Sequence, residues 1–122
     1  MAVRTELTPT FETIAWRWMR YSGIALIPLA WIHVAIQDVI VGVHAIDIDY
    51  VALRWANIGW QVYDILLLSF AFAHGMYGLR QVTMEHFPRT RRWASVVIFL
   101  LWIVVSIIGA FAIIAGARPD LA

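Results

Sequence analysis

Three long apolar blocks, separated by short polar segments, dominate this 122-residue chain. The blocks cover residues 18–43, 60–82 and 93–117, and each meets the length of about 20 apolar residues that a helix needs to cross a bilayer. The pattern predicts an all-α integral membrane protein: a single domain over residues 1–122 in which three transmembrane helices form a bundle. Thr10 or Thr13 is the predicted cap of the helix that enters the first block, and residues 44–59 are predicted to form a loop.

The composition supports this prediction and limits the chemistry. Hydrophobic residues make up 62% of the chain and charged residues 14%, with a mean hydropathy of +0.77. A soluble domain has about 25% charged residues. The sequence contains no cysteine, which excludes disulfides, thiolate nucleophiles and cysteine-ligated metal centres on this chain. A cofactor must therefore be held by histidine, carboxylate or methionine.

The arginines predict the orientation in the membrane. On the side of the N-terminus and of the loop between the second and third blocks lie Arg4, Arg17, Arg20, Arg80, Arg89, Arg91 and Arg92. The other side has Arg54 and Arg118. The positive-inside rule therefore predicts a cytoplasmic N-terminus and an outside C-terminus, in a multi-pass protein of the cell inner (plasma) membrane.

Ionisable side chains inside a membrane span are functional candidates because burying them costs free energy. His74 is the strongest candidate, with Gly75 beside it and Gly78 one turn on. A neutral imidazole is an axial ligand for haem iron, and the two glycines allow a flat haem to approach the helix. The alternative is a hydrogen-bonded histidine, with the glycines serving close helix packing.

The other ionisable residues in the spans lie closer to the opposite end. With a rise of 1.5 Å per residue, His33 lies ~22 Å from the cytoplasmic start of its block and His74 ~12 Å from the cytoplasmic end of its own. We therefore expect the two histidines not to share one haem. His33 is either the ligand of a second haem or a packed core histidine. Asp38 and Asp64 are interpreted as interface residues, paired with Arg54, in preference to a proton relay.

A polar cluster marks the cytoplasmic end of the second block. Glu85 and His86 follow Arg80 by about one turn. Histidine changes charge near physiological pH, which suits proton delivery to a reactant in the membrane. The alternative is an ordinary charged helix end that faces lipid headgroups.

Three segments resemble a known family: "WRWMRYSGIALIPLAWIHV", "RWANIGWQVYDILLL" and "HGMYGLRQVTMEH". They are similar to the small cytochrome b membrane-anchor subunit of succinate dehydrogenase (succinate:quinone oxidoreductase, complex II), of the bacterial kind with two separate anchor chains. The elements that carry the resemblance are Arg-x-Ser-Gly from Arg20, Trp-x-x-Tyr-Asp from Trp60 and His-Gly-x-x-Gly from His74.

The resemblance implies a subunit of an enzyme complex, with no catalytic residue of its own. A flavoprotein with FAD oxidises succinate, an iron–sulfur protein relays the electrons, and two anchors bind haem b and quinone. The implied partners are therefore the second anchor, the iron–sulfur subunit, the flavoprotein, quinone and the lipid bilayer. Nucleic acid is not among them, and a higher oligomer of the complex is left open.

The resemblance also implies roles for individual residues. His74 matches the histidine that ligates haem iron, with Gly75 and Gly78 beside it. Arg20 and Ser22 match positions close to the haem propionates and the quinone pocket. The family often has Asp-Tyr, whose tyrosine contacts a quinone oxygen, where this chain has Glu85 and His86. This departure replaces the tyrosine with a histidine, which can also donate a hydrogen bond and can carry the proton.

Two alternatives to this function remain open from the sequence. One is the anchor of a fumarate reductase, which has the same physical features and runs the reaction in the other direction. The other is a haem-free helical subunit of a transporter or an assembly factor.

Overall fold

The computed structural model describes residues 10–121, and every regular element in this range is helical. The α-helices are α1 (Phe11–Val34), α2 (Ile48–Trp55), α3 (Ile58–His86) and α4 (Arg91–Ala115). Three stretches are long and apolar enough to cross a membrane: Phe11–Val41, Ile58–His86 and Pro88–Ala115. The predicted all-α fold with three transmembrane helices is confirmed. Arg4, which entered the charge argument, lies outside the described residues.

Helix α1 begins well before the first apolar block. Thr10 is its N-cap, and the Thr10 side chain accepts a hydrogen bond from the backbone N–H of Thr13 at 3.4 Å. This cap is one of the two predicted, and the helix begins at Phe11, seven residues before the apolar block that starts at residue 18. The cap and the first polar turn extend the helix beyond its apolar part. As a consequence, Ser22 lies about three turns inside the helix and not in its first turn.

The far end of the first span changes its helical form. A π-helical segment, Ala35–Val41, continues α1. It ends at Gly42, whose φ of +86° is a conformation that glycine adopts without steric cost. The chain leaves the membrane helix at this glycine.

The segment predicted as a loop, residues 44–59, contains the short helix α2. Asp47 caps it by accepting a hydrogen bond from the N–H of Tyr50 at 2.7 Å. The N–H of Arg118, in the chain after α4, donates to the carbonyl of Ala52 at 3.0 Å. Hydrogen bonds from Arg118 to Asp120 hold the pKa of Asp120 below its usual value. The prediction of an irregular loop is wrong for these residues, because a cap and packing on neighbouring elements stabilise a helix of only two turns.

Helix α3 is the central element and packs against both α1 and α4. At Gly109 of α4, a Cβ atom would lie 2.1 Å from Cδ2 of Leu68 on α3. Glycine at this position therefore lets the two helices pack together. We call the end of the bundle with the start of α1, the end of α3 and the start of α4 the arginine end. The opposite end, which carries α2, is the loop end.

A buried arginine joins the three long helices at the arginine end. Arg80, on α3, is only 6% exposed. Its guanidinium donates to both carboxylate oxygens of Glu12 on α1 and, through Nε, to Ser95 Oγ on α4 at 2.8 Å. Arg91, also on α4, is a further and more exposed partner of Glu12 at 3.3 Å. A buried charge needs such partners because desolvation otherwise makes it very costly.

Most of the large apolar side chains point away from the bundle. Among the described residues, the hydrophobic side chains with burial typical of a core are those of Ala52, Ile98 and Ile113. Many large apolar residues, such as Trp31 at 72% and Phe111 at 70%, are exposed within the chain. Exposed apolar surface of this extent marks contact with lipid or with partner subunits, in agreement with a multi-pass membrane protein.

The hydrogen bonds of Arg80 lead to a first prediction, which concerns the stability of the bundle. Arg80→Met removes the partner of Glu12, which is itself 40% exposed at the side chain, so we expect a loss of about 1–3 kcal/mol in unfolding free energy. The measurement is thermal unfolding of the detergent-solubilised protein. Arg91→Met is the matched control, because this exposed arginine contributes less than about 1 kcal/mol. Equal losses in the two variants would contradict the central role of Arg80.

Candidate functional site

His74 lies on α3 with its ring against α1. Its Nδ1 atom is 3.3 Å from the carbonyl oxygen of Met19. A carbonyl oxygen only accepts hydrogen bonds, so this contact requires the hydrogen on Nδ1 and leaves the lone pair on Nε2. The side chain is exposed. The imidazole is therefore held by one nitrogen and can offer the other to a ligand outside this chain.

The two glycines next to His74 are not packed against other helices of this chain. A Cβ atom built on Gly75 or Gly78 meets no atom within 4 Å among the described residues. Gly109, by contrast, is filled by a side chain from α3. The open surface at Gly75 and Gly78 is available to a group outside the bundle.

The site has the donor set of a haem ligand but not of a metal-ion cluster. Residues 10–121 contain no group of three or more histidine, aspartate or glutamate side chains that could hold a metal ion. A haem needs only one axial ligand from each side, and His74 fits this requirement. Arg20 stacks on Trp16, 4.7 Å from its ring, and lies one turn from Gly23 toward the arginine end. It is exposed and can pair with a carboxylate such as a haem propionate.

The residues expected around the quinone are not brought together by this chain. Ser22 lies at the level of His74, since Met19 and Gly23 both contact the His74 ring. His86 is twelve residues farther along α3, which is ~18 Å along the helix axis. Ser22 and His86 of one chain are therefore ~18 Å apart along the bundle axis, because the contacts of His74 with Met19 and Gly23 set the register of α1 against α3.

His86 and Glu85 are exposed at the last turn of α3. The Nδ1 atom of His86 lies 2.9 Å from the carbonyl oxygen of Val82, which leaves Nε2 facing away from the helix backbone. Arg80, about one turn before this pair in the sequence, is turned toward Glu12. The charge of Arg80 is therefore already compensated within the bundle.

A cavity of about 520 Å³ lies between α1, α3 and α4 near the arginine end. Apolar side chains line most of it, and its polar lining includes Ser22, Ser69, Tyr77, Arg80 and Ser95. Of the residues predicted for a site, Ser22 is the one that reaches this cavity. The hydroxyl of Ser22 already donates a hydrogen bond to the carbonyl oxygen of Met19 at 2.8 Å.

A second polar cluster is built around Asp64 at the loop end. Asp64 accepts hydrogen bonds from Arg54 at 2.5 Å and from the indole N–H of Trp55 at 2.8 Å. His33 Nδ1 lies 3.9 Å from the same carboxylate. Asp64 thus pairs with Arg54 as expected, whereas Asp38 is exposed and takes no part in this ion pair.

The two histidines lie in different layers of the bundle. His33 is level with Asp64, and His74 is ten residues farther along α3. This spacing corresponds to ~15 Å along the axis, which supports the expectation that they do not share a haem.

The sequence interpretation missed the partners of these residues. Gly23 belongs to the Arg-x-Ser-Gly element but received no role of its own, and Met19 acts through its backbone. Glu12, an acidic residue in the first turn of α1, received no role from the sequence. The sequence did contain one indication of the Arg80–Glu12 pair, because the two residues carry opposite charges and lie at the same predicted membrane boundary.

The cluster around Asp64 leads to a second prediction, which also concerns stability. Asp64→Leu leaves the buried Arg54 without its carboxylate, so we expect a loss of about 3 kcal/mol in unfolding free energy. Unfolding can be followed by tryptophan fluorescence, because Trp55 and Trp60 both contact this cluster. Asp38→Leu, at an exposed position, is expected to change stability by less than about 0.5 kcal/mol. A similar loss in both variants would show that Asp64 has no special structural role.

A family model described as "Succinate dehydrogenase/Fumarate reductase transmembrane subunit" matches residues 2–113. No curated protein matches the chain.

Proposed function

We propose that this chain, which belongs to the succinate dehydrogenase/fumarate reductase transmembrane subunit family, binds haem b and contributes to a quinone site. The observation that carries the proposal is the setting of His74, whose Nε2 is free while Nδ1 is held by Met19. Membership in this family favours a membrane anchor over a transporter subunit. The proposed direction is succinate oxidation, with electrons reaching quinone through an iron–sulfur subunit. Fumarate reduction would use the same residues in the opposite direction.

His74 has the features of an axial ligand. Haem b, when bound, supplies a one-electron redox centre within the membrane. The Met19 carbonyl keeps the imidazole in the tautomer with a free Nε2 lone pair, as second-shell partners of metal-binding histidines do. Gly75 and Gly78 leave the adjacent surface open. We propose that the second axial histidine comes from the other anchor subunit, because His33 lies in another layer.

The arginine end is the proposed site of quinone reduction. His86 and Glu85 are exposed there, close to where an iron–sulfur subunit would dock on the cytoplasmic side. Since Nδ1 of His86 faces the Val82 carbonyl, its Nε2 can donate a hydrogen bond only when the ring is protonated. A donor in this state can both stabilise charge on a quinone oxygen and deliver the proton.

Charge supports docking of the iron–sulfur subunit at the arginine end. Arg80 is neutralised by Glu12 and does not contribute to the outward field. Among the described residues, the exposed arginines near this end are Arg17, Arg20, Arg89, Arg91 and Arg92. Such a basic surface steers association with an acidic partner. The FAD-containing subunit would bind on the far side of the iron–sulfur subunit.

The role of His74 is tested by its removal. His74→Ala takes away one axial ligand, so we expect loss of the low-spin haem spectrum in the purified complex. His33→Ala, at the other histidine of the spans, is the matched control and should retain that spectrum. Pyridine haemochrome analysis gives the number of haems per complex, for which we expect one. An unchanged spectrum in His74→Ala would refute the assignment.

The role of His86 is tested by separating two activities. His86→Phe removes the proposed donor, so we expect quinone reductase activity to fall at least about tenfold, a modest part of the 10²- to 10⁴-fold that general acid catalysis contributes. Succinate oxidation with an artificial acceptor that takes electrons before the membrane should be retained, which also reports on assembly. Retention of both activities would show that His86 is only a charged helix end.

A further inference from the structure

The ring of His74 lies directly against Gly23 of α1. A Cβ atom at Gly23 would be 3.1 Å from Cε1 and 3.3 Å from Nδ1 of the imidazole, closer than the 3.4–4 Å of ordinary contact. Any other residue at this position would push the ring away from α1. The absence of a side chain at Gly23 therefore sets how closely His74 approaches the helix.

The same approach brings His74 to a backbone acceptor. Nδ1 is 3.3 Å from the Met19 carbonyl oxygen, which lies one helical turn before Gly23. A displacement of the ring by a few tenths of an ångström would lengthen this already long hydrogen bond. The space at Gly23 and the bond to Met19 are therefore coupled.

Ser22 shares the acceptor used by His74. Its hydroxyl donates to the Met19 carbonyl oxygen at 2.8 Å, and the side chain is only 4% exposed. A carbonyl oxygen has two lone pairs, and in a helix one of them also serves the backbone N–H four residues on. The hydroxyl of Ser22 therefore competes with the imidazole for the electron density of one oxygen.

We infer that the turn from Met19 to Gly23 positions the imidazole of His74 and tunes its strength as a ligand. Gly23 provides the space, the Met19 carbonyl fixes the tautomer, and Ser22 weakens the hydrogen bond to Nδ1. These are positioning residues, and the inference rests on the proposed role of His74 as a haem ligand.

The strength of the hydrogen bond from His74 Nδ1 to the Met19 carbonyl sets the direction in which the haem reduction potential changes. A stronger bond from Nδ1–H to a carbonyl makes the imidazole a more basic ligand. A more basic ligand favours the oxidised iron and lowers the reduction potential. Loosening the bond should raise the potential, and strengthening it should lower the potential.

The first test is Gly23→Ala in the assembled complex. Alanine is a better helix former than glycine, so α1 itself is not weakened. We expect the haem to remain low-spin, with a shifted largest g value in the electron paramagnetic resonance spectrum and a higher midpoint potential in redox titration. Ile24→Ala, at the adjacent position with a 63% exposed side chain, is the matched control and should match the unmodified complex.

The second test is Ser22→Ala, which removes the competing hydroxyl. Here we expect the opposite shift, to a lower midpoint potential. This variant decides the question if Gly23→Ala fails to assemble. A complex with haem on His74 whose g values and potential are unchanged in the assembled variants would overturn the inference but leave the proposed function intact. Retention of the low-spin haem in His74→Ala would instead overturn the proposed function itself.

Discussion

The bundle depends on the placement of one charge, the guanidinium of Arg80, inside an apolar structure. A charge that is withdrawn from water must be paired, and its partners lie on the other two long helices, Glu12 on α1 and Ser95 on α4. This requirement fixes the antiparallel register of α1 and α3. Seven residues along α1 from Glu12 lies Met19, and six residues back along α3 lies His74. The register that pairs the ions therefore also brings the imidazole to its carbonyl.

The loop end is fixed in a similar way around Asp64, which receives hydrogen bonds from Arg54 and Trp55. Each of the two polar clusters thus pairs its own charges within the chain, one cluster at each end of the bundle. His74 lies between them, and its hydrogen bond to Met19 uses only one of its two ring nitrogens. A polar group that keeps a free lone pair on an exposed helix face is available for binding. The free lone pair distinguishes His74, a candidate ligand, from the ion pairs Arg54–Asp64 and Arg80–Glu12, whose role is structural.

The two candidate sites lie at different depths in the membrane. The surroundings of His74 and the exposed pair Glu85 and His86 are ~18 Å apart along α3. In the proposed function, His86 acts on quinone at the membrane boundary while His74 acts deeper in the bilayer. One helix, α3, carries both sites, so a rigid element sets the distance between them. The neutralisation of Arg80 by Glu12 keeps that helix free of an unpaired charge between the two levels.

The length and the apolar character of three blocks alone determined the all-α fold with three membrane spans, because apolar segments of this length cross lipid as helices. The pairing of Asp64 with Arg54 and the choice of His74 also followed from the sequence, since unlike charges and a lone imidazole are rare in such segments. Only the tertiary structure decided that residues 48–55 form a helix and that Arg80 binds Glu12. These features depend on which turns of different helices face each other. That register is set by contacts between residues far apart in sequence, such as Gly23 with His74, and local patterns contain no information on it.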